Sequence, residues 1–261
     1  MTSDGARFSR ARCVLAPNPS PMTLEGTNTW VVTEPDARRA VVIDPGPDDD
    51  GHLAAVAGAA REANVDVGVV LLTHGHPDHS EGARRFAEMF GASVRALDPA
   101  HRLGEEGLDD GDVVELDGLE IRVVGTPGHS ADSLTFHLPA DDAVLTGDTV
   151  LGRGTTVVAH PDGKLGAYLG SLRRLRALCE ATGVGTILPG HGPVLDNALG
   201  VLDYYLEHRA ERLAQVEDAV RNGISEPRAV VEHVYADVDP VLWPAAELSV
   251  RAQLDYLAAR E

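Results

Sequence analysis

The segment Leu71-Leu72-Thr73-His74-Gly75-His76-Pro77-Asp78-His79-Ser80-Glu81-Gly82 places three histidines and an aspartate within six positions, directly after an apolar run. This pattern predicts a strand followed by a helix, and side chains beyond a strand end can converge without disturbing the core. His74 and His76 are two positions apart in extended backbone, so they can point the same way. Asp78 and His79 follow a proline and can face a second point nearby. The spacing therefore predicts ligands for two metal ions.

Three further candidate ligands stand alone, each after an apolar run and inside a turn that contains glycine. They are His129 in Pro127-Gly128-His129, Asp148 in Gly147-Asp148-Thr149 and His191 in Gly190-His191-Gly192. Each signal is weak alone, because histidine and aspartate in turns often bond only to nearby backbone. Together with the dense segment, they indicate one shared site.

Most of the chain between Arg12 and Leu145 alternates short β-rich runs with helical patches, which is typical of α/β or α+β layers. Helices are predicted at 50–63 and 80–90, the second with Ser80 as its N-cap. Asp117-Gly118 predicts a tight hairpin turn between two strands. The predicted strands are 29–33, 40–43, 67–72, 93–97, 113–116, 120–124, 133–137 and 143–145.

Residues after Asp148 are predominantly helical in pattern. Leucines recur every three or four positions between 165 and 178, which predicts one buried helical stripe. A long amphipathic helix is predicted up to Asn222-Gly223, a typical helix end. The remaining predicted elements are a strand at 186–188 and helices at about 227–235 and 240–259. The expected organisation is one domain over residues 1–196 and a helical tail over residues 197–261.

The order of the candidate ligands resembles the signature of the metallo-β-lactamase superfamily. That signature is HxHxDH followed by a distant histidine, an aspartate and a last histidine, and all seven positions are filled here. The resemblance covers about residues 18–205 of the 261. It implies an α/β fold, an αββα sandwich of two mixed β-sheets, followed here by a small helical, winged-helix-like tail.

The resemblance also implies a role for each ligand. One metal ion would be held by His74, His76 and His129. The second would be held by Asp78, His79 and His191, with Asp148 bridging the two ions, and Asp78 and Asp148 are the carboxylates assigned to catalysis. Imidazole and carboxylate without thiolate suit Zn²⁺, and also Mn²⁺ or Fe²⁺. Two Zn²⁺ ions per chain are therefore expected.

Such a pair of ions predicts a hydrolase. Two ions about 3.5–4 Å apart can share a bridging hydroxide and polarise a carbonyl or phosphoryl oxygen. Within the superfamily, antibiotic-hydrolysing members carry cysteine where Asp148 stands, so a dedicated β-lactamase is not expected. The interval of 43 residues from Asp148 to His191 is too short for the domain that mRNA-processing nucleases of the superfamily insert there.

Three functions remain open at this point. Residues 18–29, 147–156 and 190–193 resemble the metallo-β-lactamase-like endoribonucleases that carry a winged-helix tail, which implies cleavage of single-stranded RNA. The net charge of −19 opposes that reading, as do six arginines against twelve acidic residues in 197–261. A thioester hydrolase of the glyoxalase II kind tolerates an acidic surface. The third reading is a non-catalytic metal-binding interaction protein.

Two sets of neighbouring residues are assigned supporting roles. Asp44 matches the strand-end aspartate that orients a ligand histidine in the family, and Thr73, Ser130 and Asp132 are expected to support ligands likewise. The loop with Arg153, Thr155 and Thr156 carries two hydroxyls and a guanidinium that can hold phosphate or carboxylate. Thr27 and Asn28 are expected to line the opposite side of the substrate cleft.

The remaining sequence features concern location and partners. Cys13 and Cys179 lie far apart without CxxC spacing, so buried free thiols are expected. No window approaches about 18 uninterrupted apolar residues, and residues 1–5 lack the apolar core of a signal peptide. No membrane span, a cytoplasmic location, and a small ester, thioester or RNA as substrate are the expectations, with a homodimer through the tail as an option.

Overall fold

Two mixed β-sheets lie face to face in the computed structural model, which describes residues 10–260. The first sheet contains, in spatial order, β1 (Ala11–Leu15), β2 (Asn28–Val32), β3 (Arg39–Ile43), β4 (Asp66–Leu71) and β5 (Ser93–Arg95). The second contains β6 (Val113–Leu116), β7 (Leu119–Gly125), β8 (Leu134–Leu138), β9 (Ala143–Gly147), β10 (Thr186–Pro189) and β11 (Leu195–Asp196), also in spatial order. The pairs β3–β4, β4–β5 and β9–β10 are parallel and the others antiparallel.

Seven α-helices flank the sheets or follow them. They are α1 (Asp50–Glu62), α2 (Pro77–Ser80), α3 (Ala83–Glu88), α4 (Leu165–Thr182), α5 (Ala198–Arg221), α6 (Pro227–Val234) and α7 (Trp243–Ala258), counted over residues 10–260. Single 3₁₀ turns lie at Pro99–His101, Pro139–Asp141 and Pro240–Leu242. Among the described residues, none of the helices combines the length and apolar character needed to cross a bilayer.

Three apolar layers explain why the inner strands read as continuous hydrophobic runs. Along β3, Val41 and Ile43 point into the layer between the sheets, where they meet residues of the second sheet such as Phe136. Ala40 and Val42 point the opposite way, towards α1 and α3. A third layer packs α4 and α5 against the outer face of the second sheet. The predicted αββα sandwich is confirmed, because both faces of the central strands are covered.

The two strands that sequence patterning did not predict are β1 and β11, and both lie at sheet edges. β1 is largely exposed, so it lacks the apolar alternation that reveals a half-buried strand. Cys13 lies on this strand and is exposed, which corrects the prediction that both cysteines are buried. Cys179 is buried, and both thiols are free as expected.

The segment after β4 also differs from its prediction. Instead of one helix over 80–90 with Ser80 as N-cap, the chain forms the single turn α2, a break at Glu81-Gly82, and then α3. Ser80 lies at the end of α2 and its hydroxyl donates to the Gly75 carbonyl at 2.9 Å. Pro77 starts α2 because proline suits the first turn of a helix. By contrast, the hairpin at Asp117-Gly118 is confirmed, with both residues at positive φ.

Within the described residues 197–260, the secondary structure of the tail is entirely helical. α5 ends at Asn222-Gly223 as predicted, with Gly223 at positive φ. The predicted helix over 240–259 begins with a 3₁₀ turn at Pro240 before α7. The first half of α5 shares a core with α4 through Leu202 and Tyr205, while its second half packs with α6 and α7. The domain boundary at 196/197 stays a prediction, as do the statements about residues 1–5, which lie outside the described part.

Gly128 permits the close approach of the His129 turn to α4. Its φ is +138°, and an added Cβ would lie 2.3 Å from the backbone of Tyr168. The Gly128 carbonyl also accepts from the Lys164 amide at 2.9 Å, at the start of α4. Only glycine fits this backbone geometry and this spacing.

We expect Gly128→Ala to lower the free energy of unfolding by at least about 2 kcal/mol, because the methyl group meets backbone and the φ is unfavourable. The matched control is Gly170→Ala on the exposed side of α4, where an added Cβ meets nothing within 4 Å. That change should raise stability by up to about 1 kcal/mol. Urea unfolding of the three proteins measures both, and an unaffected Gly128→Ala variant would contradict the packing described.

Candidate metal centre

The seven predicted ligands come from four turns, each after the carboxyl end of a strand. His74, His76, Asp78 and His79 follow β4, of which the last two lie on α2. The turns after β7, β9 and β10 supply His129, Asp148 and His191. The structure brings all seven side chains to one edge of the sandwich, where they form three overlapping groups whose donor atoms lie within 4.8 Å of one another.

The first group consists of three imidazole nitrogens. His74 Nε2 lies 3.0 Å from His76 Nδ1, and His129 Nε2 lies 3.1 Å from the same atom. Ligands at about 2.0–2.1 Å from a tetrahedral Zn²⁺ are about 3.3 Å apart, so the separations are those of ligands around one ion. His76 faces the group with Nδ1, whereas the other two rings use Nε2.

The second group combines a carboxylate with two imidazoles. Asp78 Oδ2 lies 3.2 Å from His191 Nε2 and 3.4 Å from His79 Nε2. The two Nε2 atoms are 3.3 Å apart. These separations also match ligands around one ion.

Asp148 lies between the two groups. Its Oδ1 is 3.4 Å from His79 Nε2 and 3.3 Å from His191 Nε2, while Oδ2 is 3.7 Å from His129 Nε2. Oδ1 is buried and makes no hydrogen bond with the described residues. A buried carboxylate oxygen that protein donors leave unsatisfied fits a position that a cation fills. The donor set, nitrogen and carboxylate oxygen without sulfur, fits Zn²⁺, Mn²⁺ or Fe²⁺.

Protein acceptors fix the outward nitrogen of four rings. Each of these nitrogens must carry the proton to donate it, so the opposite nitrogen presents its lone pair to the centre. The pairs are His79 Nδ1 with Asp44 Oδ2 at 2.9 Å, His74 Nδ1 with Thr73 Oγ1 at 3.0 Å, His129 Nδ1 with the Val157 carbonyl at 2.8 Å, and His191 Nδ1 with the Gly26 carbonyl at 3.1 Å.

Asp44 takes part in the hydrogen bonds that orient two of these rings, His74 and His79. Its Oδ2 accepts from the Thr73 hydroxyl at 2.6 Å as well as from His79, and its Oδ1 accepts from the Thr73 amide at 2.8 Å. Because the hydroxyl proton points to Asp44, the Thr73 oxygen is free to accept from His74. Asp44 has a φ of +50°, a conformation that aspartate tolerates better than most residues. One buried carboxylate therefore orients a ligand of each group.

Burial and neighbouring charges divide the histidines into two classes. Burial lowers the pKa of His74 and His129, which favours the neutral imidazole. Burial also acts to lower the pKa of His79 and His191, but the neighbouring carboxylates together outweigh it: Asp148 with Asp44 for His79, and Asp148 with Asp78 for His191. Both pKa values are raised, that of His191 to about 9. The same contacts hold the pKa of Asp148 well below its usual range despite burial. Protons and metal ions therefore compete for this second group.

The other predicted supporting residues do not contact a ligand ring. Ser130 bonds within its own turn, to Asp132 Oδ1 at 2.7 Å and to the Ser133 hydroxyl at 2.7 Å. Thr156 is buried, and its hydroxyl donates to the Asp148 carbonyl at 2.7 Å. Thr156 therefore braces the backbone of a ligand, and it also lies on the wall of the cavity beside the metal centre, as predicted.

Thr27 and Asn28 need a correction, because they do not line the cleft. Both are buried, and the Asn28 amide donates to the carbonyls of Pro189 at 3.0 Å and Gly192 at 2.8 Å. They hold the His191 turn against β2. Sequence alone does not show that this strand end faces another loop rather than solvent.

A cavity of about 360 Å³ opens beside Asp148 and His129, and Arg153 and Thr155 lie on its wall. Arg153 is exposed and pairs with Glu25 at 2.6 Å. Sequence reasoning missed the residues that α5 adds here, above all Arg209, which is buried and donates to the Thr156 carbonyl. The available signal was its place on the apolar stripe of α5, between Tyr205 and Val216, where an arginine is out of pattern.

The comparisons with known proteins agree with this geometry. Residues 22–191 match the family described as the Metallo-beta-lactamase superfamily, and residues 227–261 match the Beta-lactamase associated winged helix domain. The chain is 31% identical over 233 residues to the Beta-lactamase-like protein 2 homolog of Caenorhabditis elegans, covering 86% of this chain and 76% of that protein. It is 36% identical over 224 residues to the Atrochrysone carboxyl ACP thioesterase of Aspergillus fumigatus, covering 83% and 67%.

A solved structure agrees over nearly the whole chain. A metallo-beta-lactamase family protein from Thermus thermophilus superposes with a TM-score of 0.79 and 20% identity, covering 98% of this chain and 95% of that one. At this identity the likeness shows the fold, and it includes the helical tail.

The two donor groups predict separable metal sites. We expect about two ions per chain in protein loaded with Zn²⁺, and about one in His129→Asn or in His191→Asn, because each change removes a ligand from only one group. Elemental analysis after gel filtration measures the ratio. A ratio of about one in the unchanged protein would contradict the two-site arrangement.

Asp44→Asn should weaken metal binding by about 10- to 100-fold, because the amide no longer accepts from both Thr73 and His79. Competition with a chromogenic chelator measures the affinity. Asp142→Asn is the matched control, since Asp142 also has a positive φ but is exposed and far from the ligands in the fold. Equal affinities for the two variants would show that Asp44 does not orient the ligands.

Proposed function

The chain belongs to the metallo-β-lactamase superfamily of hydrolases, and we propose that its metal-dependent hydrolysis acts on acyl thioesters. In this reaction water adds to the thioester carbonyl carbon, the carbon–sulfur bond breaks, and a carboxylate, a thiol and one proton are released. The observation that carries the proposal is the cavity beside Asp148, whose walls combine apolar side chains with basic ones. Such a lining suits a substrate with an acyl group better than it suits the phosphate backbone of RNA.

The metal ions supply the activated water and the Lewis acid of the reaction when they are bound. Zinc is the ion that we propose, on the donor set described above, and His74, His76 and His129 would hold one ion. Asp78, His79 and His191 would hold the other, with Asp148 shared between them. These assignments rest on the convergence of the donor atoms and on the orientation of the rings.

The remaining residues of the centre position the ligands and the cavity wall. Asp44 and Thr73 hold two rings with their lone pairs inward, as the hydrogen bonds show. The backbone from Asp148 to Val157 forms one wall of the cavity and is fastened by Thr156 and Arg209. A rigid wall next to the reacting carbonyl keeps the substrate oriented without any motion of the ligands.

A thioester also fits the leaving-group chemistry. A thiol has a pKa of about 8.5, so a thiolate can depart near neutral pH without a proton from the protein. An amide or an alkyl ester places a stronger demand on a general acid. The acyl carrier thioesterase named above is a thioesterase by its name, and its 36% identity supports the same bond type for this chain.

The charges of the tail speak against RNA as the substrate. Three exposed arginines, Arg221, Arg228 and Arg251, are paired with glutamates one helical turn away on their own helices. They are therefore poorly available to phosphates, and the tail over residues 197–261 has twice as many acidic residues as arginines. Neither of the two relatives described above is named an endoribonuclease.

The test is a substrate panel with the metal-loaded protein: acetyl and hexanoyl thioesters of N-acetylcysteamine, S-lactoylglutathione, p-nitrophenyl acetate and a fluorescent single-stranded RNA. We expect thioester hydrolysis with the RNA left intact. Asp148→Asn should lower kcat/KM by more than about 100-fold, because even the loss of a supporting partner costs 10- to 100-fold. Asp142→Asn serves as the control and should match the unchanged protein. Cleavage of the RNA with every thioester intact would overturn the proposal.

A further inference from the structure

Residues of the helical tail form part of the wall of the cavity beside the metal centre. Asp148 and His129 line it on the metal side, and residues of α5, α7 and the turn before α7 line it on the tail side. A bound group that reaches away from the metal ligands therefore meets the tail. The tail residues decide which groups fit there.

Two kinds of side chain line the cavity away from the metal ligands. Apolar contact comes from Leu151, Val238, Leu242, Ala245 and Ala246. Basic groups come from Arg209 and Arg212, which are three positions apart on α5 and so lie on the same face of the helix. The cavity is therefore lined by apolar and basic side chains, although the whole chain has a net charge of −19.

Arg209 is the central residue of this arrangement. Its residue exposure is 8%, its Nη2 donates to the Thr156 carbonyl, and its guanidinium carbon lies 5.0 Å from the centre of the Tyr168 ring. Its Nε is buried and makes no hydrogen bond with the described residues. No carboxylate of residues 10–260 forms an ion pair with it. Arg209 also lines the cavity, and a buried guanidinium there without a counter-charge fits an anionic ligand.

Arg212 adds a second positive charge to the tail side of the cavity. Its Nη1 donates to the Val234 carbonyl at 2.8 Å and its guanidinium carbon lies 4.7 Å from the centre of the Tyr235 ring. Its carboxylate contact, with Asp237, is long at 3.6 Å, and Asp237 is 73% exposed. Solvent weakens such an ion pair, so Asp237 neutralises the positive charge of Arg212 only partly.

We propose that this cavity binds the acyl part of the substrate and that it selects acyl groups with a terminal carboxylate, held by Arg209 and Arg212. The proposal rests on the proposed thioesterase function and extends it to a substrate class, the thioesters of dicarboxylic acids. The acyl carbons lie along Leu151, Leu242 and Ala246, and the thioester carbon lies at the metal end. A hydrocarbon chain fills the same space but leaves the Arg209 guanidinium without a counter-charge.

The test compares glutaryl and adipoyl thioesters of N-acetylcysteamine with the pentanoyl and hexanoyl thioesters. The pairs share chain length and reacting bond and differ in the terminal carboxylate. We expect kcat/KM to be at least about tenfold higher for the better dicarboxylic substrate, because a site built to bond a substrate group rejects the analogue that lacks it. Arg209→Lys, which keeps the charge but replaces the planar guanidinium with a single ammonium group, should reduce the ratio to about threefold or less.

Binding is measured separately from hydrolysis. The non-hydrolysable thioethers S-(4-carboxybutyl)- and S-pentyl-N-acetylcysteamine are titrated into the metal-loaded protein by calorimetry. The carboxylated thioether should bind at least about tenfold more tightly, and Ala246→Phe should abolish the binding of both by filling the cavity. Matched controls are Arg221→Lys on the exposed side of α5 and Ala258→Phe at the exposed end of α7. Thermal unfolding checks that every variant is folded.

The outcomes separate the two proposals. Hydrolysis of all thioesters with no preference for a carboxylate, or a preference that Arg209→Lys leaves unchanged, overturns the acyl selectivity while the thioesterase function stands. If no thioester is hydrolysed, the thioesterase function fails, and the titration still decides the selectivity. Selective binding of the carboxylated thioether supports it, and equal or absent binding overturns it.

Discussion

Five imidazole nitrogens and two carboxylates point towards one another within a few ångströms, and this arrangement is the constraint on which the rest of the structure depends. Lone pairs that face each other across about 3 Å repel unless a proton or a cation lies between them. The protein holds them there by fixing the outward nitrogen of four rings with hydrogen bonds. The fold therefore stabilises a site that only cations satisfy fully.

The two sheets provide the rigidity that this convergence requires. The ligands lie just beyond the carboxyl ends of strands, where side chains on both faces of the sheet are buried, so movement of these turns would disturb a packed layer. The Asp44 carboxylate then supports two ligands: it holds His79 directly and His74 through the Thr73 hydroxyl. On the other side, α5 reaches the same centre through Arg209 and the Thr156 carbonyl, so the tail is part of the wall of the site.

The sequence predicted the ligands better than their surroundings. The HxHxDH spacing and three glycine-bearing turns identified seven side chains that the structure brings together, because metal ligation demands particular residue types at particular spacings. Thr27 and Asn28 were placed wrongly, since a residue's direction at a strand end depends on which loop packs there. Arg209 was missed because an arginine on an amphipathic helix is normally on the solvent face. β1 escaped prediction for lack of an apolar alternation.

The central claim is that the seven side chains hold two cations side by side. Anomalous diffraction from crystals of the zinc-loaded protein, recorded on both sides of the zinc absorption edge, tests it directly. Two peaks about 3.5–4 Å apart are expected, one among His74, His76 and His129 and the other among Asp78, His79 and His191, with Asp148 between them. A single peak, or zinc bound elsewhere with these side chains turned away from one another, would contradict the account.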